Sequence, residues 1–301
     1  MTLSPRAWAE LMLLSLIWGA SFLSIRVALD EIGPLTAVAH RVFWAMLILW
    51  GYIWIKGLGV PRKPQIWCAF LMMGLLNNVI PFSLMAWGQL HIESGLTSIL
   101  NAATAVFGVI IAAMFFADER LTARKILGVS IGFLGVCTAI GLDALLSFDL
   151  RSMSQIAVIM GTVSYACAGV WARKMLRDLP PQVAAAGMVT GASLIMVPLA
   201  YAIEGAFDFS LTMRTWTAVG YYAVIATAVA YLLYYRVLAM AGSGNLMLCT
   251  LLVAPIAIVL GAVFLGETLG VQAYAGFTLL ALGLIILDGR LIPGQHRLRG
   301  T

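Results

Sequence analysis

Along this chain, apolar runs of about twenty residues alternate with short polar connectors from one end to the other. The runs fall at approximately 8–28, 35–55, 66–88, 94–116, 123–141, 154–175, 181–203, 214–235, 242–265 and 271–288. At about 1.5 Å of rise per residue, each is long enough to cross a ~30 Å hydrocarbon core as a helix. The pattern predicts an all-α membrane protein of ten transmembrane helices. What remains is connectors and two short tails, which excludes a soluble catalytic or nucleotide-binding domain, and with it a single-chain ATP-driven pump or a large extramembrane receptor. Arg6 before the first run imitates a signal peptide, but the length of the run and its counterpart later in the chain favour a retained helix.

Composition agrees with the pattern. Of 301 residues, 62% are hydrophobic and 10% charged, with a mean hydropathy of +0.99. A soluble globule of that composition would expose far too much apolar surface. The net charge of +5 is a matter of distribution. With the N-terminus in the cytoplasm, 14 of the 18 basic residues lie inside, and Arg26, Arg41, Arg151 and Arg214 lie on the other side. That bias sets orientation and predicts both termini cytoplasmic. It gives no reason to expect nucleic acid. Cys68, Cys137, Cys167 and Cys249 are scattered without a paired spacing, so no disulfide framework, metal site or cofactor is expected.

The chain also repeats itself. Trp18, Arg26, Leu29 and Pro34 match Tyr165, Arg173, Leu176 and Pro181 at an offset of 147. Trp67, Ala69, Leu84, Ser94 and Gly95 match Trp216, Ala218, Leu233, Ser243 and Gly244 at 149. Glu119, Leu121, Gly128, Gly135 and Gly141 match Glu267, Leu269, Gly276, Gly283 and Gly289 at 148. The organisation expected is a first repeat over 1–147, a second over 148–290 and a cytoplasmic basic tail over 291–301. Five helices per half is an odd number, so the halves are inverted relative to the membrane. Inverted halves that exchange conformations give alternating access, which favours a secondary transporter over a passive solute channel or a scaffold.

Particular segments carry a family resemblance. The stretches from Glu119 to Gly128 and from Glu267 to Gly276, the run Ile17-Trp-Gly-Ala-Ser-Phe22, and Pro34 with Arg41 resemble the EamA-type members of the drug/metabolite transporter superfamily. Within it the chain is most similar in character to the YddG-type exporters of aromatic and other neutral amino acids. The resemblance implies a multi-pass protein of the bacterial inner membrane that exports small metabolites, amino acids in particular, with lipophilic-cation efflux as the alternative on the same fold. One departure stands out. The fourth helix of the second half contains Ala254-Pro255, whereas its counterpart has no proline.

Helical periodicity gathers the few polar groups into stripes. Trp18 and Ser21 share a face of the first helix, and Asn77 and Asn78 sit in mid-span on the third, just before Pro81 and Phe82. Thr97, Asn101, Thr104 and Gly108 line one face of the fourth; Thr162, Tyr165 and Gly169 one face of the sixth; Thr227, Tyr231 and Tyr234 one face of the eighth. Polar groups in a bilayer must face protein or a wet cavity. The candidate substrate-binding residues are therefore Trp18, Ser21, Asn77, Asn78, Phe82, Asn101, Thr104, Tyr165, Tyr231 and Tyr234. The competing interpretation for each hydroxyl is helix-to-helix glue. Two adjacent asparagines are not expected to share one face. Gly128, Gly132, Gly135, Gly276 and Gly283 mark the fifth and tenth spans as close-packing elements. Every glutamate lies near a span end, so no mid-membrane carboxylate is available for proton coupling or for a proteolytic acid pair. His40, Arg41 and His91 are read as entrance groups, a zwitterion suits the rest of the interior, and no catalytic residue is expected. A homodimer is compatible with these features and not required by them.

Overall fold

The computed structural model describes residues 5–117, 121–140 and 150–288. Glu119, the expected boundary at 147/148 and the basic tail over 291–301 lie outside the described residues. The helices are α1 (Pro5–Ala28), α2 (Pro34–Ile55), α3 (Pro64–Gly88), α4 (Ser94–Phe115), α5 (Ala123–Ile140), α6 (Leu150–Met175), α7 (Pro181–Glu204), α8 (Met213–Gly220), α9 (Ala230–Leu265) and α10 (Val271–Asp288). A π-helical segment, Tyr221–Val229, joins α8 to α9. No strand occurs among the described residues, and seven helices there are long and apolar enough to span a membrane. Pro34, Pro64 and Pro181 open their helices, where the missing N–H is no loss and the fixed φ is already helical.

Three elements differ from the sequence expectation, each for a local reason. In α4 the helix is interrupted at Ala102–Ala103, between Asn101 and Thr104, although no proline is near. Ala103 N–H bonds to Leu100 and Ala105 N–H to Ala102, a tight i→i+3 turn, while Thr104 Oγ1 donates to the Asn101 carbonyl at 2.7 Å. The counterpart helix runs straight through Pro255. In α3 the ladder widens to a π segment at Leu75–Val79. There Ile80 N–H reaches Leu75 O, and the next donor would be Pro81, which has none. Ser164 Oγ of α6 supplies the missing bond, donating to Leu76 O at 2.7 Å.

The third difference is at α9, where an expected connector between 235 and 242 is helical and the assignment is continuous from Ala230 to Leu265. Straight, that helix would be about 54 Å long. Its partners on α1 show otherwise. Trp18 meets Ala226 and Glu10 meets Arg236, so this stretch runs antiparallel to α1. Ser15 then meets Cys249, and Gly19 lies against Val253 and Ile256, so the later stretch runs parallel to it. The chain doubles back between Arg236 and Cys249.

Packing joins early helices to late ones. α1 lies on α9, α2 on α7 and on the Tyr221–Val229 segment, α3 on α6 and α7, α4 on α6, and α5 on α10. The α5–α10 seam is a backbone contact. A Cβ on Gly135 would stand 2.4 Å from Leu280 N, and one on Gly283 would stand 2.5 Å from Gly132 N. The glycine spacing thus does what close packing requires.

One end of the bundle, where α1 finishes, is tied across these packing partners. The Glu204 carboxylate accepts from Leu35 and Thr36 N–H at 2.9 and 2.7 Å, covering the start of α2. Glu267 does the same for α4, accepting from Ser94 N–H, Ser94 Oγ and Gly95 N–H at 2.8, 2.8 and 3.2 Å. Glu31 accepts from the Thr212 N–H and hydroxyl at the start of α8. Arg151 pairs with both oxygens of Glu93 at 3.3 and 2.9 Å. A carboxylate on a helix N-terminus satisfies orphan donors and the positive end of the dipole together.

Candidate substrate site

Arg41 lies seven residues into α2, about 10 Å from its start. The side chain is only 8% exposed. Its Nε donates to Thr227 Oγ1 at 2.9 Å, and that hydroxyl donates in turn to Tyr222 O at 2.7 Å, five residues back in the π segment. The hydroxyl is thereby oriented with its lone pair towards the arginine. The guanidinium carbon sits 3.9 Å above the centre of the Phe82 ring, a cation–π contact that strengthens when water is excluded. Phe82 meets Tyr165 edge-on at 6.3 Å between ring centres. The phenols of Tyr165, Tyr222 and Tyr231 lie within electrostatic range of the cation. No carboxylate among the described residues is within ion-pair distance of it.

Tyr231 anchors the other side. Asn77 and Asn78 both donate to its hydroxyl, at 3.5 and 3.3 Å, so the adjacent asparagines do converge. The wider turn at Leu75–Val79 reduces the angular separation of neighbours, and the expectation that they diverge holds only for a regular helix. Asn77 also lies 3.3 Å from Met188 Sδ. Asn78 is fully buried, and its Oδ1 has no hydrogen-bond partner.

A neighbouring group forms on α1. Trp18 donates from Nε1 to Ala226 O at 3.2 Å, and its ring tilts against Tyr234 at 5.9 Å. Tyr221 OH donates to Ile17 O at 3.1 Å from the same segment. Ser21 is buried and donates to its own helix at Trp18 O, and Thr104 likewise turns to Asn101 O. Asn101 keeps a buried, unpartnered Oδ1 but makes no hydrogen bond to the Arg41 group. Gly108 on α4 and Gly169 on α6 have nothing within 4 Å of a Cβ position.

Of the ten candidates, Asn77, Asn78, Phe82, Tyr165 and Tyr231 thus assemble around one centre, with Trp18 and Tyr234 beside it. The centre itself, Arg41 braced by Thr227, is not in the candidate set. Arg41, expected at the entrance, is 8% exposed and packs on Phe82 and Thr227. The signal for it is present in the sequence, because an arginine within an apolar run is a functional position by default.

Comparison with known proteins adds the ancestry. The sequence profile of the EamA-like transporter family matches residues 7–141 and again 152–287. A probable terminal-alkyne amino-acid exporter of Streptantibioticus cattleyicolor is 28% identical, with 100% of this chain and 99% of that protein covered. A probable amino-acid metabolite efflux pump of Salmonella typhimurium is 25% identical over 91% and 92% of the respective lengths. A solved crystal structure superposes with a TM-score of 0.66 at 15% identity, covering 94% of this chain and 97% of the other.

Proposed function

This chain belongs to the EamA-like transporter family, and from that premise we propose that it exports neutral amino acids, aromatic and large aliphatic, by alternating access. The family membership makes it a transporter, not an enzyme, and a multi-pass protein of the inner membrane. The observation that carries the substrate class is the interior itself, where aromatic rings of Phe82, Tyr165 and Tyr231 stand beside amides and one buried cation. Aromatic faces accept side chains of varied shape with little directional demand. The names of the two relatives point the same way.

In this reading the chain forms ten spans in two inverted halves. The packing supports it, for α1 lies on α9 as α6 lies on α4, and α3 on α7 as the Tyr221–Val229 segment on α2. The π segments of α3 and α8 fall at nearly equivalent positions, and the family profile matches twice. With cytoplasmic termini, the tied end faces outwards and the open positions at Gly108 and Gly169 lie towards the cytoplasm, as a state ready to load for export requires. Lipophilic cations are disfavoured by the Arg41 charge, and a channel is disfavoured by the closed end.

Proteoliposomes loaded with labelled phenylalanine or methionine are expected to show saturable flux, competed by other neutral amino acids. Flux of a lipophilic cation with no amino-acid transport would replace this reading with drug efflux, and ohmic current would replace it with a channel.

A further inference from the structure

We propose that Arg41 is the anchor for the substrate's carboxylate and the residue that makes a free carboxylate the condition for transport. The inference rests on the amino-acid reading above and names the group that reads the acid. A guanidinium carries five N–H donors. Among the described residues only Nε is engaged, on Thr227 Oγ1. Nη1 and Nη2 make no hydrogen bond to a described residue, yet neither is sealed off from space, although the residue is 8% exposed. Part of the small access that the side chain has is therefore at the paired terminal donors, the edge of the fork that fits a carboxylate with two parallel bonds.

The surroundings explain why this edge is vacant of protein acids. A buried cation is costly unless something compensates it, and here the compensation is partial. Phe82 covers one face of the guanidinium and Thr227 holds its inner edge, which fixes the fork without filling it. An intramolecular glutamate would have made Arg41 a structural ion pair. Its absence among the described residues leaves the charge to be neutralised by what enters. The other pole of an amino acid also has a counterpart. Asn78 Oδ1, buried and unpartnered, is an acceptor for an ammonium group, on the side of the site held by Tyr231. A decarboxylated amine meets only repulsion from Arg41, and an amide offers one acceptor where the fork takes two.

The test is competition for labelled-phenylalanine flux in proteoliposomes of the full chain, using phenylalanine, phenylalaninamide, phenethylamine and 3-phenylpropionate. In the wild type, the amide and the amine are expected to compete on the order of 100-fold more weakly than phenylalanine, as for loss of one partner of a buried charge pair. In Arg41→Gln that ratio should collapse towards one while the half-saturation concentration for phenylalanine rises. Arg41→Lys should restore part of the discrimination. A wild type that treats acid and amide alike overturns the proposal without any variant, and so does an Arg41→Gln protein that keeps the ratio. A merely structural arginine would lower folded yield and leave the ratio unmoved. Should no amino acid move, the same panel is run against direct binding, read as a shift in thermal unfolding of the detergent-solubilised protein. Binding of 3-phenylpropionate, lost in Arg41→Gln, would then keep the anchor and discard the amino-acid reading. Binding of phenethylamine in preference would discard both.

Discussion

Asn78 illustrates how one side chain here depends on another. It has 0% exposure, one donor on Tyr231 and one oxygen without a partner, so its position is held from a single side. Tyr231→Phe removes the oxygen on which two amides converge and leaves them with unsatisfied donors in a low-dielectric interior. A loss of about 1–3 kcal/mol is expected, measurable as earlier unfolding in detergent. Asn78→Leu is expected to have the opposite profile, little loss of folded protein and a large loss of transport, since the apolar replacement needs no partner. Normal flux in that variant would make the amide a packing group. Helical periodicity singled out Asn77, Asn78, Tyr165 and Tyr231 as interior positions, but the convergence of the two asparagines depends on the wider turn at Leu75–Val79, which periodicity does not report. Arg41 escaped for a reason of the same kind. Sequence position gives the depth of a Cα, whereas a long side chain delivers its charge several ångströms away from it, here onto Phe82 and Thr227 of other helices.

At the level of elements, the glycine seam and the helix irregularities had very different visibility. Gly132, Gly135, Gly276 and Gly283 recur at helical spacing, and the seam they predict is the backbone contact of α5 with α10. Gly135→Ala should destabilise the fold by about 1–3 kcal/mol, because the new methyl meets backbone that cannot move aside. Gly108→Ala, with nothing within 4 Å, is the matched control and should fold normally. Monodisperse yield in detergent compares the two. The irregularities were not legible. Proline was the visible breaker, yet α9 passes through Pro255 while α4 breaks at Ala102–Ala103. Whether a helix tolerates a gap in its ladder depends on what fills it from outside, and the filler is remote in sequence, as Ser164 is for Leu76. Polarity alone puts a connector at 235–242, where the assignment is helical, and the contacts with α1 put a reversal between Arg236 and Cys249.

For the whole molecule, the charge split and the tied end make separate predictions. Cysteines introduced at Arg62 and at Ser147 (the latter outside the described residues) should differ in intact cells. Only Ser147→Cys is expected to react with an impermeant reagent, and labelling of Arg62→Cys would overturn the proposed topology. Arg41, now inside the bundle, no longer counts against the positive-inside bias. The tied end is acid-sensitive in a definable direction. Thr212 donors hold the Glu31 carboxyl below its ordinary value of 4.5, so its contribution is complete above that pH and is lost as pH falls through the lowered value. Asp208 is lowered in the same way by Ser210. Neither group predicts a change between pH 7 and pH 5. Loosening of this end, followed by hydrogen exchange of the Thr212 amide corrected for its intrinsic pH dependence, should begin only below about 4.5 in the wild type. In Glu31→Gln it should be present already at neutral pH.

The capping carboxylates have a further consequence for how the molecule spends its time. Glu31, Glu204 and Glu267 close the end with hydrogen bonds to backbone N–H groups, and water offers both partners nearly equivalent bonds once they separate. Each such exchange changes the free energy by only about 0.5–3 kcal/mol, far less than the bond is worth in isolation. In the proposed alternating-access cycle, opening this end costs the sum of these exchanges together with the apolar contacts of Leu29, Ile32 and Val219 beside them. In that cycle a solute shifts the populations only by its difference in affinity for the two forms, so the engaged caps set how large that difference has to be.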